Sequence, residues 1–246
     1  MLEVSLKLLE ENDLLNISTL GGGTALAGYY WNHRYSTDID IFIYDKENKT
    51  YLLKPSNWSD ETKANMADIG YGGIFKHNDI YTEIFIDNDS KIQFFDVVKK
   101  SKNPYKMTSL WGIDLMIDSI EEIIAKKIFF RGDKGNSRDI FDIAVAFHQI
   151  PDLLTKTLLK KEKIQALYEN IASINSSDQL FNLYLEEIKI MQPNSDFHQI
   201  ANYAIPYLTA LLENIIASYN IGFELSSKDF LEIEQYVYAN TIKQLT

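Results

Sequence analysis

Along residues 38–44 aspartates and aliphatic side chains alternate, Asp38-Ile39-Asp40-Ile41, the period-two pattern of a strand buried on one face. Upstream, residues 2–15 space their leucines as a helix does, and the glycines at 21–23 open a second helical run over 24–31. A polar span from 45 to 68, containing Pro55, reads as a loop or a short helical excursion. Two alternating runs, 80–86 and 92–98, flank Asp87-Asn88-Asp89-Ser90 and predict a hairpin.

From Ser119 the period lengthens: Ile120, Ile123, Ile124 and Ile128 make the apolar stripe of a helix. A polar turn over 131–136 leads into another helix from Ser137 to Phe147, and Pro151 follows. Beyond it, helices are predicted near 153–173, 178–191, 196–219 and 227–244. Strand and helix signals thus mix in the first 150 residues and only helix signals follow. The expected class is α+β, with one domain over 1–150 and a helical domain, a C-terminal bundle, over 151–246. The many Tyr and Phe residues are spaced like helix-packing positions, and no fixed-period repeat occurs.

Composition removes several kinds of chemistry. The 246 residues include no cysteine, which excludes disulfides, thiolate zinc sites and cysteine nucleophiles. The four histidines lack zinc-ligand spacing, and no nucleophile-elbow motif is present. Acidic residues interrupt the first apolar stretch, so no signal peptide is expected, and no run is long and apolar enough to span a membrane. A cytoplasmic location is the expectation. The net charge of −11 argues against indiscriminate nucleic-acid binding, yet residues 91–138 hold ten Lys/Arg against six Asp/Glu, a locally basic stretch.

The candidate chemistry starts at the glycine turn and the strand after it. Side chains two apart on a strand face the same way, so Asp38 and Asp40 form one oxygen-rich wall suited to Mg2+. Glycines at a helix entrance expose backbone N–H groups that hold phosphate. Asp96, an acid within an apolar strand, is the expected third carboxylate, brought beside the pair by a neighbouring strand to complete a two-ion site and take a proton. At about 100° per residue from Ile120, Lys127 falls inside the apolar stripe and Lys126 falls outside it, facing water. Lys127 therefore wants an anion, with Arg131 one turn on: either a triphosphate tail or a buried carboxylate such as Asp142. Asp139 at a helix start is accounted for by the helix dipole, and His33 and Arg34 could reach phosphate from the loop before the strand.

In this order, Gly22-Gly23-Thr24, then His33-Arg34-x-Ser36-x-Asp38-x-Asp40, then Ala125-x-Lys127-Ile128, then Arg131-Gly132 and Arg138-Asp139-x-x-Asp142, the motifs make a chain that resembles the AbiEii/AbiGii toxin family over residues 15–150. These are nucleotidyltransferase-like proteins of the polymerase-beta superfamily, found in bacterial toxin–antitoxin and phage-defence systems. The resemblance implies a small mixed nucleotidyltransferase-type sheet flanked by helices, Mg2+ as cofactor and a nucleoside triphosphate as substrate. It implies a nucleotide-binding turn at Gly22, Gly23 and Thr24, a metal pair at Asp38 and Asp40, a nucleotide-associated lysine at Lys127 and a later acidic motif at Asp139 and Asp142. Arg34, Ser36, Arg131 and Arg138 join the expected nucleotide-binding set. It further implies a tRNA acceptor and a cognate antitoxin.

Two features depart from the family pattern: the bulky run Tyr29-Tyr30-Trp31, and a helical half after Pro151 with little to match. The leading expectation is an Mg2+-dependent nucleotidyltransferase toxin acting on tRNA. The alternatives are a transferase modifying a protein or small molecule, which the net charge favours, and a non-catalytic nucleotide- or partner-binding module.

Overall fold

Ile39, Ile41 and Ile43 are all buried while Asp40 and Phe42 between them are half-exposed, so the alternation seen in the sequence is a strand with one dry face. The computed structural model describes residues 1–45 and 47–243. Its contacts divide the chain into two compact units: residues 1–31, 36–99 and 104–119 form the first, and residues 32–35, 100–103 and 120–243 belong to the second.

The first unit opens with helix α1 (Leu2–Glu11), which buries Leu2, Leu8 and Leu9. Strand β1 (Ser18–Gly21) follows and runs directly into the short helix α2 (Gly22–Ala25), whose continuation over Leu26–Trp31 is wound as a π-helix. Then come β2 (Ile39–Ile43), α3 (Asp60–Asp68), β3 (Phe75–Asn78), β4 (Tyr81–Phe85), β5 (Lys91–Asp96), β6 (Tyr105–Leu110) and β7 (Ile113–Asp118). The seven strands make one mixed sheet in the order β3-β4-β5-β2-β1-β7-β6. The expected hairpin is β4–β5, and β1, β3, β6 and β7 are strands that the pattern did not announce.

Register fixes which side chains share a face. Gly21 opposes Asp40, Asp40 opposes Gln93, Gln93 opposes Glu83, and Glu83 opposes Lys76, so one polar row crosses five strands. Beside it Phe42 stacks on Phe95 with ring centroids 5.4 Å apart. The opposite face carries Ile39, Ile41, Ile43, Ile92 and Phe94, all buried. Strands β6 and β7 are joined by Trp111-Gly112 alone, closing on the pair Leu110 and Ile113. Both turn residues have positive φ, 53° at Trp111 and 81° at Gly112, as a right-twisted two-residue hairpin requires.

The second unit is helical: α4 (Ile120–Arg131), α5 (Ser137–Gln149), α6 (Lys161–Asn175), α7 (Asp178–Met191), α8 (His198–Asn220) and α9 (Ser227–Thr241). Helix α8 packs against α5, α6, α7 and α9 and buries Ile200, Ala204, Leu208, Leu211 and Ile215. The expected division near Pro151 is not where the contacts part. Helices α4 and α5 pack on α6, α7 and α8, so the break falls between Ser119 and Ile120. Among the described residues no helix is long and apolar enough to cross a membrane.

Two short excursions of the chain are pinned inside this second unit by buried carboxylates. Glu122, fully buried, accepts the Lys100 backbone N–H with both oxygens (3.0 and 2.9 Å) and the Ser101 hydroxyl at 2.7 Å. Asp142, also fully buried, holds residues 33–34 in the manner described below.

Candidate functional site

The sequence-predicted residues gather in two clusters, one in each unit. In the first unit β1 ends at Gly21 and the chain turns at Gly22 with φ +64°. The left-handed backbone alone favours glycine there, and space demands it as well: a Cβ on Gly22 would lie 1.8 Å from Asp40 Oδ2. The Asp40 carboxylate therefore rests directly over the turn. Gly23 and Thr24 are buried beyond it, and Thr24 Oγ1 donates to the Asp38 carbonyl and lies 3.0 Å from Ser36 Oγ. Gly22, Gly23, Thr24, Ser36, Asp38 and Asp40 are thus brought together within one unit, with β2 starting one residue after Asp38.

Asp96 is not with them. It opposes Ile43 in the β2–β5 ladder and so falls on the face of Ile41 and Ile43, opposite that of Asp40. Its carboxylate accepts the backbone N–H of Lys49 and of Thr50, both at 3.0 Å, and the Thr50 hydroxyl at 2.7 Å. Asp96 organises the loop after β2, and the expected third metal ligand is corrected accordingly. Among the described residues no group of three His, Asp or Glu side chains stands close enough to hold a metal ion.

Two acids that sequence reasoning passed over lie on the Asp40 face. Glu83, nearly buried, sits in the polar row, bridged by Lys91 at 2.8 Å and by Gln93 Nε2 at 2.9 Å. An acid within the alternating run 80–86 was the available signal. Asp118, fully buried at the end of β7, accepts from Thr19 Oγ1 at 2.6 Å and from the Tyr44 hydroxyl at 3.0 Å. A Cβ on Gly21 would meet Asp118 Oδ2 at 2.6 Å, so Asp40 and Asp118 flank successive glycines of one turn.

The second cluster centres on Asp142. Arg34 grips it with two parallel hydrogen bonds, Nε to Oδ1 at 2.7 Å and NH2 to Oδ2 at 2.8 Å. His33 Nε2 lies 2.7 Å from Oδ1, and Lys127 Nζ is 3.0 Å from Oδ2. Burial pushes the Asp142 carboxyl up, but the charges of Arg34 and Lys127 with the hydrogen bonds of Arg34 and His33 outweigh it and hold the group well below the usual range. Lys127 Nζ also reaches Asp139 Oδ1 at 2.5 Å, and Asp139 Oδ2 lies 3.0 Å from Arg131 Nε. Asn136 caps α5 by accepting the Asp139 N–H. Arg34, Lys127, Arg131, Asp139 and Asp142 are one ion network, with Arg138 exposed on the first turn of α5.

The lysine geometry departs from expectation in one respect. Lys127 points inward as predicted, but Lys126 is equally buried, each 4% exposed, with its Nζ 3.7 Å from Glu122. Residues 122–128 are buried without a break, so α4 has no watered face over those turns and the single-stripe picture fails there.

The first unit is thus a mixed seven-stranded sheet with Asp40 of an Asp-x-Asp pair lying over a glycine turn, and the family model that matches the chain is a nucleotidyl transferase model. The chain belongs to the family described as nucleotidyl transferase AbiEii toxin, type IV toxin–antitoxin system, whose model matches residues 7–202. Membership carries nucleotidyl transfer within a toxin–antitoxin system, and with it a nucleotide substrate and an antitoxin partner. Among solved structures, the chain is similar to JHP933 from Helicobacter pylori at 18% identity and TM-score 0.43, with 87% of this chain and 97% of that chain covered. A candidate nucleotidyltransferase from H. pylori, also 18% identical, has TM-score 0.48, with 90% and 98% covered. No curated protein matches.

Proposed function

We propose that the protein is an Mg2+-dependent nucleotidyltransferase toxin that transfers a nucleotidyl group from a nucleoside triphosphate to an acceptor hydroxyl on tRNA. The observation that carries the reading is the Asp40 carboxylate lying over the left-handed Gly22, with Asp38 two residues before it. Two carboxylates fit Mg2+, which keeps few protein ligands and takes the rest from substrate phosphates and water. Asp38 and Asp40 would hold the ion. Bound there, it would neutralise charge on the triphosphate and on the departing pyrophosphate.

The chain's own residues supply the rest. Gly22 lets the Asp40 carboxylate rest over the turn, and Thr24 fixes the turn to the strand through the Asp38 carbonyl. Within the second unit Lys127 is paired with Asp139 and Asp142 and Arg131 with Asp139, a network of that unit by itself, and Arg138 is exposed there. In the reaction the acceptor oxygen bonds to the α-phosphorus, the bond from that phosphorus to the bridging oxygen breaks, pyrophosphate leaves, and the hydroxyl proton goes to solvent.

The acceptor is assigned on the family's toxin setting and on exposed basic residues within 91–138, among them Lys99, Lys102, Lys106, Lys134 and Arg138, since Lys126 and Lys127 are buried against carboxylates. The net charge of −11 favours a second acceptor class, a protein or small hydroxyl compound. Incubation with each α-labelled triphosphate, Mg2+ and total bacterial RNA separates the two: label in tRNA-sized bands supports the proposal, and label in protein alone overturns the acceptor assignment.

A further inference from the structure

Within the first unit a cleft of about 540 Å³ opens beside the glycine turn. Trp111, Ile39, Thr24, Ser36, Thr37 and Ser90 line it, so it combines one large aromatic plate and an aliphatic wall with four hydroxyls. Among the described residues that line it there is no lysine or arginine, and Glu3 is the one acidic residue. The aromatic plate and the hydroxyls suit a planar, hydrogen-bonding group. Thr24 belongs both to this lining and to the short helix α2 that begins at Gly22, while Ile39 sets the aliphatic wall on the sheet face opposite Asp40.

Trp111 is held in an unusual way. It is 63% exposed and sits at φ +53°, where hairpin turns ordinarily carry Asn, Asp or Gly. Its ring lies against Gly28 of the π-wound segment: a Cβ there would be 2.9 Å from Trp111 Cζ2. One part of the indole is thus fixed on bare backbone and the rest is left open. The turn and the missing side chain at Gly28 both serve to present a ring that contributes little to the core.

We infer that this cleft binds the nucleoside of a nucleotide substrate, with Trp111 stacking on the base and the hydroxyls of Ser36, Thr37 and Ser90 meeting its polar edge or the ribose. The inference rests on the nucleotidyl-transfer reading and names a base-recognition element for it. The base comes either from the nucleoside triphosphate or from the unpaired end of the acceptor, since both present the same chemistry. The volume lies within the range of small-molecule sites and takes one nucleoside.

Equilibrium binding tests this without requiring turnover. Wild type, Trp111→Ala and Trp111→Phe are titrated with a nucleoside triphosphate, with inorganic tripolyphosphate, and with a short RNA that ends in unpaired nucleotides. The expected result is about tenfold weaker binding of one nucleoside-bearing ligand to Trp111→Ala, the size of a lost base–aromatic stack, with affinity kept in Trp111→Phe and tripolyphosphate unaffected. Loss confined to the triphosphate places its base in the cleft, and loss confined to the RNA places the acceptor end there. Equal affinity of Trp111→Ala and wild type for both ligands overturns the inference, as does failure of wild type to bind either. Transfer activity of the Asp38 and Asp40 variants is a separate readout, so failure of the reading it rests on is recognised independently.

Discussion

Gly22 joins backbone conformation to chemistry at a single residue. An alanine there would carry the left-handed penalty of about 1–2 kcal/mol and drive its Cβ into the Asp40 carboxylate, which must move. We expect Gly22→Ala to fold with modest loss of stability and to lose about 100-fold in transfer rate, the scale of an ångström-sized misplacement. Single-turnover kinetics beside a urea melt would separate the two effects. A Gly22→Ala protein with unchanged rate would remove the turn from the site.

Asp142 shows the same economy in a structural role. Its folded-state carboxyl titrates well below its unfolded value near 3.8, so its stabilisation is fully present above that value and is lost as pH falls through the lower, folded one. The acid limb of stability below about pH 4 should therefore flatten in Asp142→Asn. At neutral pH the variant should lose about 3–5 kcal/mol, because Arg34 and Lys127 are left buried without their shared partner. Urea denaturation across pH reads both. A wild-type acid limb retained in Asp142→Asn would assign it to other carboxylates.

At the scale of elements, the β6–β7 hairpin holds conformational strain in its turn. Trp111 occupies a position that Asn fills at lower cost, so Trp111→Asn, giving an Asn-Gly turn, should raise stability by about 1 kcal/mol, or about 2–4 °C in Tm. A fall in Tm would show that the exposed indole contributes more to packing than its surroundings indicate. The expectation of higher stability from removing a site residue follows the usual opposition between stability and function.

The elements also mark what a sequence reveals. Strand β2, the β4–β5 hairpin and most of the later helices were legible because their apolar period is strict. Strand β6 was not, since Tyr105, Lys106, Met107 and Ser109 are exposed on an edge, and its turn lacks the Asn-Gly signature. The glycine turn was read directly, and Asp40 stands over it in β2, while Asp38 precedes the strand. Asp96 was misplaced because period-two alternation tells which residues share a face within a strand, while the cross-strand register that opposes it to Ile43 is a tertiary fact. Lys126 was misread because helical periodicity assumes one buried face, and α4 buries seven consecutive residues.

For the molecule as a whole, −11 is an awkward charge for a tRNA-modifying protein, and with Lys126 and Lys127 buried against carboxylates only the exposed lysines and arginines of 91–138 could offset it. The family match over residues 7–202 runs well into the second unit, beyond the 15–150 span in which motifs were recognisable. Residues 151–202 therefore carry family identity in sequence outside the short motifs. The buried carboxylates Asp142 and Glu122 each hold a short excursion of chain within the second unit.

The central claim is that Asp38 and Asp40 are required for nucleotidyl transfer. The most direct test is the single-turnover rate of label transfer from each α-labelled nucleoside triphosphate to bacterial RNA in Mg2+, for wild type beside the Asp38→Asn, Asp40→Asn double variant, with chelator added as a third arm. The account predicts transfer by wild type, a loss of several orders of magnitude in the variant with folding unchanged, and a comparable loss on chelation. Transfer by the double variant at the wild-type rate would contradict it.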